Sequence, residues 1–189
     1  IEDERFREHD GIDVRSIFRA SVELLTSGSL QSGASTITQQ LLKNQIFSGG
    51  NESSDFDKII RKIQEQYLAI ELEKQLSKEE ILELYMNSIN LGQNTLGVQA
   101  ASMRYFGKPV YQLTLSECAV IAGITQNPSR LNPISHPDKN AERRDKVLND
   151  MLDQGYITQA EYDEAMADDV YSRIQLINSE MDDNSVYTY

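Results

Sequence analysis

The sequence predicts an all-α protein, and three observations support this prediction. Over residues 58–76 (KIIRKIQEQYLAIELEKQL), apolar side chains recur at three- and four-residue steps, which is the period of an amphipathic helix. Three stretches place Ser or Thr three residues before Glu at the start of a helical pattern, as in an N-terminal capping box. Segments that alternate apolar and polar residues, as half-buried strands do, are scarce.

Start and stop signals place the elements along the chain. The long periodic helix covers residues 58–76, and the capping boxes predict further helices after Ser77, Thr114 and Thr158. Helices are expected to end at Gly107 and Gly155, and the segment between Pro128 and Pro133 is expected to be irregular. Residues 47–57 (FSGGNESSDFD) predict a mobile loop, and the helical period is lost from about Asp168.

Composition narrows the class of protein. The 189 residues suffice for one domain with a real core, and no run of eighteen apolar residues is present to span a membrane. The net charge is −12, but ten of the thirty acidic residues lie from Asp150 onward, where Arg173 is the only base. No basic stripe is visible, so we expect no binding to nucleic acid. Because Cys118 is the single cysteine, no internal disulfide can form. Cys118 lies in an apolar helical segment, and we expect its side chain to lie in the protein core.

The first candidate site is the stretch EDERFREHDG, residues 2–11. It gathers Glu2 and Asp3 around Phe6 and His9, just before a glycine turn. A carboxylate can accept a proton from a hydroxyl group, so this composition suits acid–base chemistry on a sugar or a phosphate. The alternative is a charged helix end with a locally packed histidine, and composition alone favours that alternative.

The second candidate site is GASTITQQLLKN, residues 33–44. Ser35 or Thr36 can cap the following helix, whose N–H groups and positive dipole end suit an anion such as phosphate. Gln40 and Lys43 share one helix face, and so do Gln39 and Lys43. One edge can therefore present an ammonium group and amides together, as a sugar diphosphate would require. A plain N-cap with solvent-facing glutamines explains the pattern equally well.

The third candidate site is RKIQE, residues 61–65. On a helix, Arg61 and Lys62 both reach the face of Glu65. The pattern fits a cationic patch for a leaving diphosphate, with Glu65 held beside it. Taken alone, it is better explained as an exposed ion pair that contributes about 0.3–0.5 kcal/mol.

The order of these clusters is more informative than any one of them. Five segments, in this sequence order, resemble the five motifs of the family 51 glycosyltransferases: EDERFREHDG, GASTITQQLLKN, RKIQE, ILELYMNSINLGQNTLGVQAASMRYFGK and LSECAVIAGITQNPSRLNP. That family comprises the peptidoglycan polymerase domains of class A penicillin-binding proteins and their monofunctional relatives. The resemblance runs from Ile1 to about Leu131.

The resemblance implies a fold and a reaction. The fold would be the helical, lysozyme-like one, with a large head and a small membrane-facing jaw over roughly residues 14–57. The substrate would be lipid II, whose sugar 4-hydroxyl attacks the anomeric carbon of the growing chain. The undecaprenyl diphosphate leaves, and a β-1,4 linkage forms by inversion. The domain would cover residues 1–167, and residues 168–189 would be an acidic connector toward a transpeptidase domain absent from this chain.

The resemblance also assigns roles to residues. Glu2 would be the general base, and Glu65 would organise the leaving diphosphate. The remaining matched positions would surround the donor sugar and diphosphate: Ser35, Gln39, Gln40, Lys43, Arg61, Lys62 and Asn90. No cofactor is expected to be obligatory; an Mg²⁺ or Mn²⁺ ion at Asp3 or Glu65 is the candidate metal site.

Expected partners are lipid II, the growing glycan strand, the membrane surface and moenomycin-type inhibitors. The expected location is the extracytoplasmic face of the bacterial cell membrane, held by an anchor outside this chain. Two other functions remain open at this point. A lysozyme-like hydrolase or lytic transglycosylase would share the fold and catalytic Glu but needs no diphosphate patch. A scaffold would bind glycan or lipid II without turnover.

Overall fold

The protein is helical throughout the part that the computed structural model describes, residues 2–28, 33–47 and 54–175. Within these ranges the only β-pairing is an isolated antiparallel bridge between Asn90 and Leu96. The prediction of an all-α fold is therefore confirmed. Eight α-helices lie in the described residues: α1 (Val14–Ser27), α2 (Ile37–Gln45), α3 (Asp55–Glu73), α4 (Lys78–Ser88), α5 (Val98–Phe106), α6 (Leu115–Ile124), α7 (Pro137–Asp153) and α8 (Gln159–Ala167). Two 3₁₀ turns cover Val110–Gln112 and Val170–Arg173.

The predicted capping boxes are confirmed. Ser77, Thr114 and Thr158 each cap a helix reciprocally with the Glu three residues later. A fourth box opens α2, where Thr36 accepts from the Gln39 N–H and the Gln39 side chain accepts from the Thr36 N–H. Thr36, rather than Ser35, is thus the cap of this helix.

The long periodic helix is shifted relative to the prediction. α3 begins at Asp55 because Ser54 caps it through the Asp57 N–H, and Asp55 and Asp57 favour the positive end of the helix dipole. Residues 55–57 of the predicted loop are consequently helical, whereas residues 48–53 lie outside the described residues. α3 ends at Glu73 because Ser77 starts the next helix.

The chain divides into two compact units. The first takes in the residues up to Asn90 together with Leu96–Val98. There, α2 packs against α3 and α4, and the buried residues include Leu41, Leu42, Ala69 and Ile81. All three candidate clusters belong to this unit.

The second unit takes in Leu91–Thr95 and the chain from Gln99 onward. α6, α7 and α8 pack together around a cluster formed by Ala119, Val147, Leu148 and Ala165. Residues 168–175 pack onto this unit as well. Val170 is fully buried, the Tyr171 hydroxyl donates to Asn140 at 2.6 Å, and Arg173 donates to Glu117 at 3.0 Å. The boundary at residue 167 stays a prediction, and residues 176–189 lie outside the described residues.

Two further predictions concern exposure and the membrane. The expectation that Cys118 lies in the core is wrong: it is exposed, because α6 buries Ala119, Val120 and Ile121 on its other faces. Among the described helices, none combines the length and the apolar character needed to cross a bilayer.

Candidate active site

The first cluster is fixed to the start of α2 by Asp3. Its Oδ2 atom accepts a hydrogen bond from the backbone N–H of Ile37, the first residue of α2, at 3.0 Å. His9 Nε2 lies 3.0 and 3.1 Å from the two Asp3 oxygens. Both side chains are nearly inaccessible, at 3% for Asp3 and 7% for His9. Asp3 therefore joins the segment that carries Glu2 to the first turn of the second cluster.

Gly11 brings the same two segments close to α3. Its φ of +87° is a left-handed conformation, and a Cβ placed there would lie 2.5 Å from backbone atoms of Ala69. Its carbonyl accepts from the buried Thr36 hydroxyl at 2.7 Å. Only glycine satisfies both the conformation and the close approach. The turn after the first cluster thus packs directly against α3 while holding the cap of α2.

Tyr85 on α4 lies close to the predicted base. Burial raises the pKa of its hydroxyl above the ordinary range, and the carboxylates of Glu2 and Asp3 add to this rise. The phenol therefore stays protonated and donates to Gln40 Oε1 at 3.1 Å. Glu2 itself is partly accessible. Glu2, Tyr85 and Gln40 thus converge on one part of the first unit.

The third cluster is a buried carboxylate with two cations. Glu65 is completely buried, forms an ion pair with Arg61 and has Lys62 Nζ 2.8 Å from its Oε2 atom. Lys62 Nζ also donates to Ser35 Oγ at 2.9 Å. A cavity of about 290 Å³, lined by Ser35, Lys62 and apolar residues of α1 such as Leu24, opens beside them. This is not the exposed ion pair that RKIQE suggested on its own.

Lys43 differs from the other cations of the site. It is half-buried on α2, and its side chain makes no hydrogen bond or ion pair with any residue that the structure describes. An ammonium group of this kind remains available for an anionic ligand.

Two predicted binding residues have different surroundings. Gln39 is buried, and its side-chain oxygen closes the capping box of α2. Asn90 is exposed just beyond the end of α4, where its backbone pairs with Leu96. A substrate-binding role for either residue stays a prediction.

The donor atoms of Asp3 and Glu65 bear on the candidate metal site. The Asp3 carboxylate already accepts from Ile37 and His9, and the two Glu65 oxygens face Arg61 and Lys62. Within the described residues no three His, Cys, Asp or Glu side chains are grouped as metal ligands. The present donor set does not fit a divalent ion without displacing these partners, so we route no step of the reaction through a metal.

Sequence reasoning missed three residues that contact the site. They are Tyr85, Glu73 and Lys78, all far from the first cluster in sequence. Lys78 Nζ donates to the His9 carbonyl at 2.5 Å, and Glu73 accepts from the Thr38 hydroxyl at 2.5 Å. Lys78 also lies 4.5 Å above the Phe6 ring. The one available signal was position: Lys78 opens α4, directly after the Ser77 cap.

Comparison with known proteins identifies the family. The sequence profile described as Transglycosylase matches residues 1–152. The chain belongs to the transglycosylase family. Penicillin-binding protein 1A of Vibrio cholerae is 51% identical over 169 residues, which cover 89% of this chain and 20% of that protein. Penicillin-binding protein 1A of Escherichia coli is 51% identical over 163 residues, with 86% and 18% covered.

A third relative and a solved structure also match the chain. Penicillin-binding protein 1F of Bacillus subtilis is 48% identical over 161 residues, covering 85% of this chain and 22% of that protein. The crystal structure of penicillin-binding protein 1A from Haemophilus influenzae matches at 48% identity and a TM-score of 0.49, over 51% of this chain and 14% of that one. The chain spans about a fifth of the length of the curated relatives. The predicted family membership is confirmed.

Proposed function

We propose that this chain is a peptidoglycan glycosyltransferase that polymerises lipid II into β-1,4-linked glycan. The observation that supports this most strongly is the position of residues 35–40. Ile37 is held by Asp3, next to the proposed base, and Ser35 is held by Lys62, within the cationic cluster. One short polar turn thus joins a carboxylate suited to a nucleophile and cations suited to a leaving diphosphate.

In the proposed reaction, Glu2 takes the proton from the 4-hydroxyl of the incoming lipid II sugar. That oxygen attacks the anomeric carbon of the growing strand from the face opposite the diphosphate, so the configuration inverts. A diphosphate is already a competent leaving group, so one base at the nucleophile and cations at the departing charge suffice. Holding the two substrates in line supplies much of the remaining rate.

Lys43 and Lys62 are the proposed contacts of the diphosphate. Lys43 has no competing partner among the described residues, and Lys62 is about half exposed at the mouth of the 290 Å³ cavity. Glu65 is buried and forms ion pairs with Arg61 and Lys62, so it would orient those two side chains rather than touch the substrate. Ser35 and Gln40 would border the donor sugar, and moenomycin-type inhibitors would compete for the same cations.

Exposed apolar faces support the proposed association with a membrane surface. Along α1, the side chains of Val14, Phe18, Val22 and Leu25 are 67%, 70%, 42% and 85% exposed at helical spacing. Exposed apolar residues also follow α3, at Phe56, Ile59, Ile63 and Tyr67. Such faces can rest in the interface of a bilayer, where the undecaprenyl chain of the substrate is anchored.

The test is polymerisation of labelled lipid II in detergent, resolved on a gel. Wild type should give a ladder of glycan that a β-1,4-specific muramidase digests, and Glu2→Gln should give none. Glu4→Gln is the matched control, since Glu4 is exposed and two residues away; it should retain the ladder. Binding of lipid II by wild type without any polymer would instead support a scaffold, and hydrolysis of finished glycan would support a hydrolase.

A further inference from the structure

A linked set of mostly buried polar groups starts at Asp3, the residue after the proposed base. We name it the anchor ring: Asp3, His9, Lys78, Glu73 and Thr38. Asp3 binds the Ile37 N–H and His9, Lys78 binds His9 and Glu73, and Glu73 binds the hydroxyl of Thr38, the residue after Ile37. The ring therefore starts and ends on the first turn of α2.

The ring leaves little freedom to its members. Thr38 is fully buried, the Glu73 side chain is 4% exposed, and the ammonium of Lys78 lies 2.6 Å from Glu73 Oε2 and 2.5 Å from the His9 carbonyl. Lys78 Nζ is also 3.5 Å from His9 Nδ1.

The charges explain why one lysine matters to the whole ring. The nearly inaccessible carboxylate of Glu73 pairs with the Lys78 ammonium, which also contacts His9, and His9 in turn contacts the nearly inaccessible carboxylate of Asp3. Removing the Lys78 ammonium would leave the buried Glu73 carboxylate with the Thr38 hydroxyl as its one remaining side-chain partner among the described residues, which is costly because a buried charge needs pairing. Glu73 would then turn toward water and release Thr38, and His9 would lose the contact that fixes its orientation.

We infer that Lys78 and Glu73 are positioning residues for the transferase reaction. Through the anchor ring they set the segment carrying Glu2 against the turn carrying Ser35 and Gln40, and so align the base with the donor. This inference rests on the proposed function. Neither residue needs to touch the substrate, since a displacement of about 1 Å in a reacting group can cost about a hundredfold in rate.

The first test is a kinetic one on the whole chain, at a temperature where every variant is folded. Lys78→Met should lower kcat for lipid II polymerisation about 10- to 100-fold, with KM within about twofold. Lys78→Arg, which keeps charge and donors, should recover most of the loss. The matched control is Lys74→Met, because Lys74 forms an exposed pair with Glu71 at 2.6 Å; it should behave as wild type.

Several results would overturn the inference. One is a kcat of Lys78→Met that stays within about twofold of the wild-type value. Another is a KM of Lys78→Met that rises while kcat is unchanged. If Lys78→Met does not fold, Thr38→Val opens the ring without removing the lysine. It should lower kcat about threefold to tenfold, and a wild-type kcat would contradict the inference.

Amide exchange separates this inference from the proposed function. The Ile37 N–H is protected by Asp3, so its exchange should be at least about tenfold faster in Lys78→Met than in Lys74→Met. If wild type made no glycan, the proposed function would fail, while this measurement would still decide whether Lys78 holds the first turn of α2. Equal exchange rates of the Ile37 amide in the two variants would contradict the inference that Lys78 holds the first turn of α2.

Discussion

Replacing Gly11 by alanine tests how closely the turn after the proposed base packs on α3. Its φ of +87° costs a residue with a Cβ roughly 1–2 kcal/mol. The new Cβ would also lie 2.5 Å from the carbonyl carbon and oxygen of Ala69 and 2.7 Å from Ile70 N. A helix backbone cannot swing aside as a flexible side chain does, so overpacking adds about 1–3 kcal/mol. We expect Gly11→Ala to lose about 2–5 kcal/mol of unfolding free energy.

The assay is thermal unfolding with Gly28→Ala as the matched control. Gly28 ends α1 with a φ of +68°, and among the described residues no atom would lie within 4 Å of a Cβ there. The control therefore carries conformational strain without the clash, about 1–2 kcal/mol. At about 2–4 °C per kcal/mol for a chain of this size, Gly11→Ala should unfold at least about 4 °C below wild type. If the two alanine variants lost equal stability, the close approach of Gly11 to α3 would be refuted.

Three further predictions concern the cations, acid stability and metal. Lys43→Met should lower kcat/KM for lipid II about 10²-fold at unchanged melting temperature, since the Lys43 side chain makes no hydrogen bond or ion pair with the described residues. A normal rate would remove Lys43 from the diphosphate site. Burial opposes ionisation of Glu117, but Lys108, the Thr114 N–H and Arg173 outweigh it and lower its pKa below 4.5. The ionised Glu117 therefore stabilises the fold above about pH 4.5, and this contribution is lost as the pH falls further. Thermal unfolding should show a weaker acid dependence in Glu117→Gln, and an identical dependence would contradict this. Finally, EDTA should leave the polymerisation rate within about twofold, because Lys43 and Lys62 provide the positive charge at the diphosphate. Activity that vanishes with EDTA and returns with Mg²⁺ or Mn²⁺ would refute this prediction.

Local signals made much of the fold predictable. The capping boxes at Ser77, Thr114 and Thr158 are confirmed because each depends on two side chains three residues apart, which a sequence displays directly. The start of α3 was missed because Ser54 and two aspartates lie in a polar stretch that also suits a loop. Cys118 was misplaced because the apolar run of α6 does not reveal which face is exposed.

The site was predictable only in part, for a related reason. The three clusters were recognised as polar segments, but the contacts that join them are long-range: Asp3 with Ile37, Ser35 with Lys62 and Tyr85 with Gln40. Such contacts depend on how α2 packs against α3 and α4, which no local spacing encodes. The same holds for the burial of Glu65, which turns an ordinary helical ion pair into an internal one.

The central claim is that Glu2 acts on the nucleophile while Lys43 and Lys62 hold the donor diphosphate. The most direct test is equilibrium binding of labelled lipid II to wild type and Glu2→Gln, measured beside polymerisation of the same samples. The account predicts that Glu2→Gln binds lipid II within about twofold of the wild-type Kd and forms no glycan. Polymerisation by Glu2→Gln at the wild-type rate, or loss of binding in that variant, would contradict it.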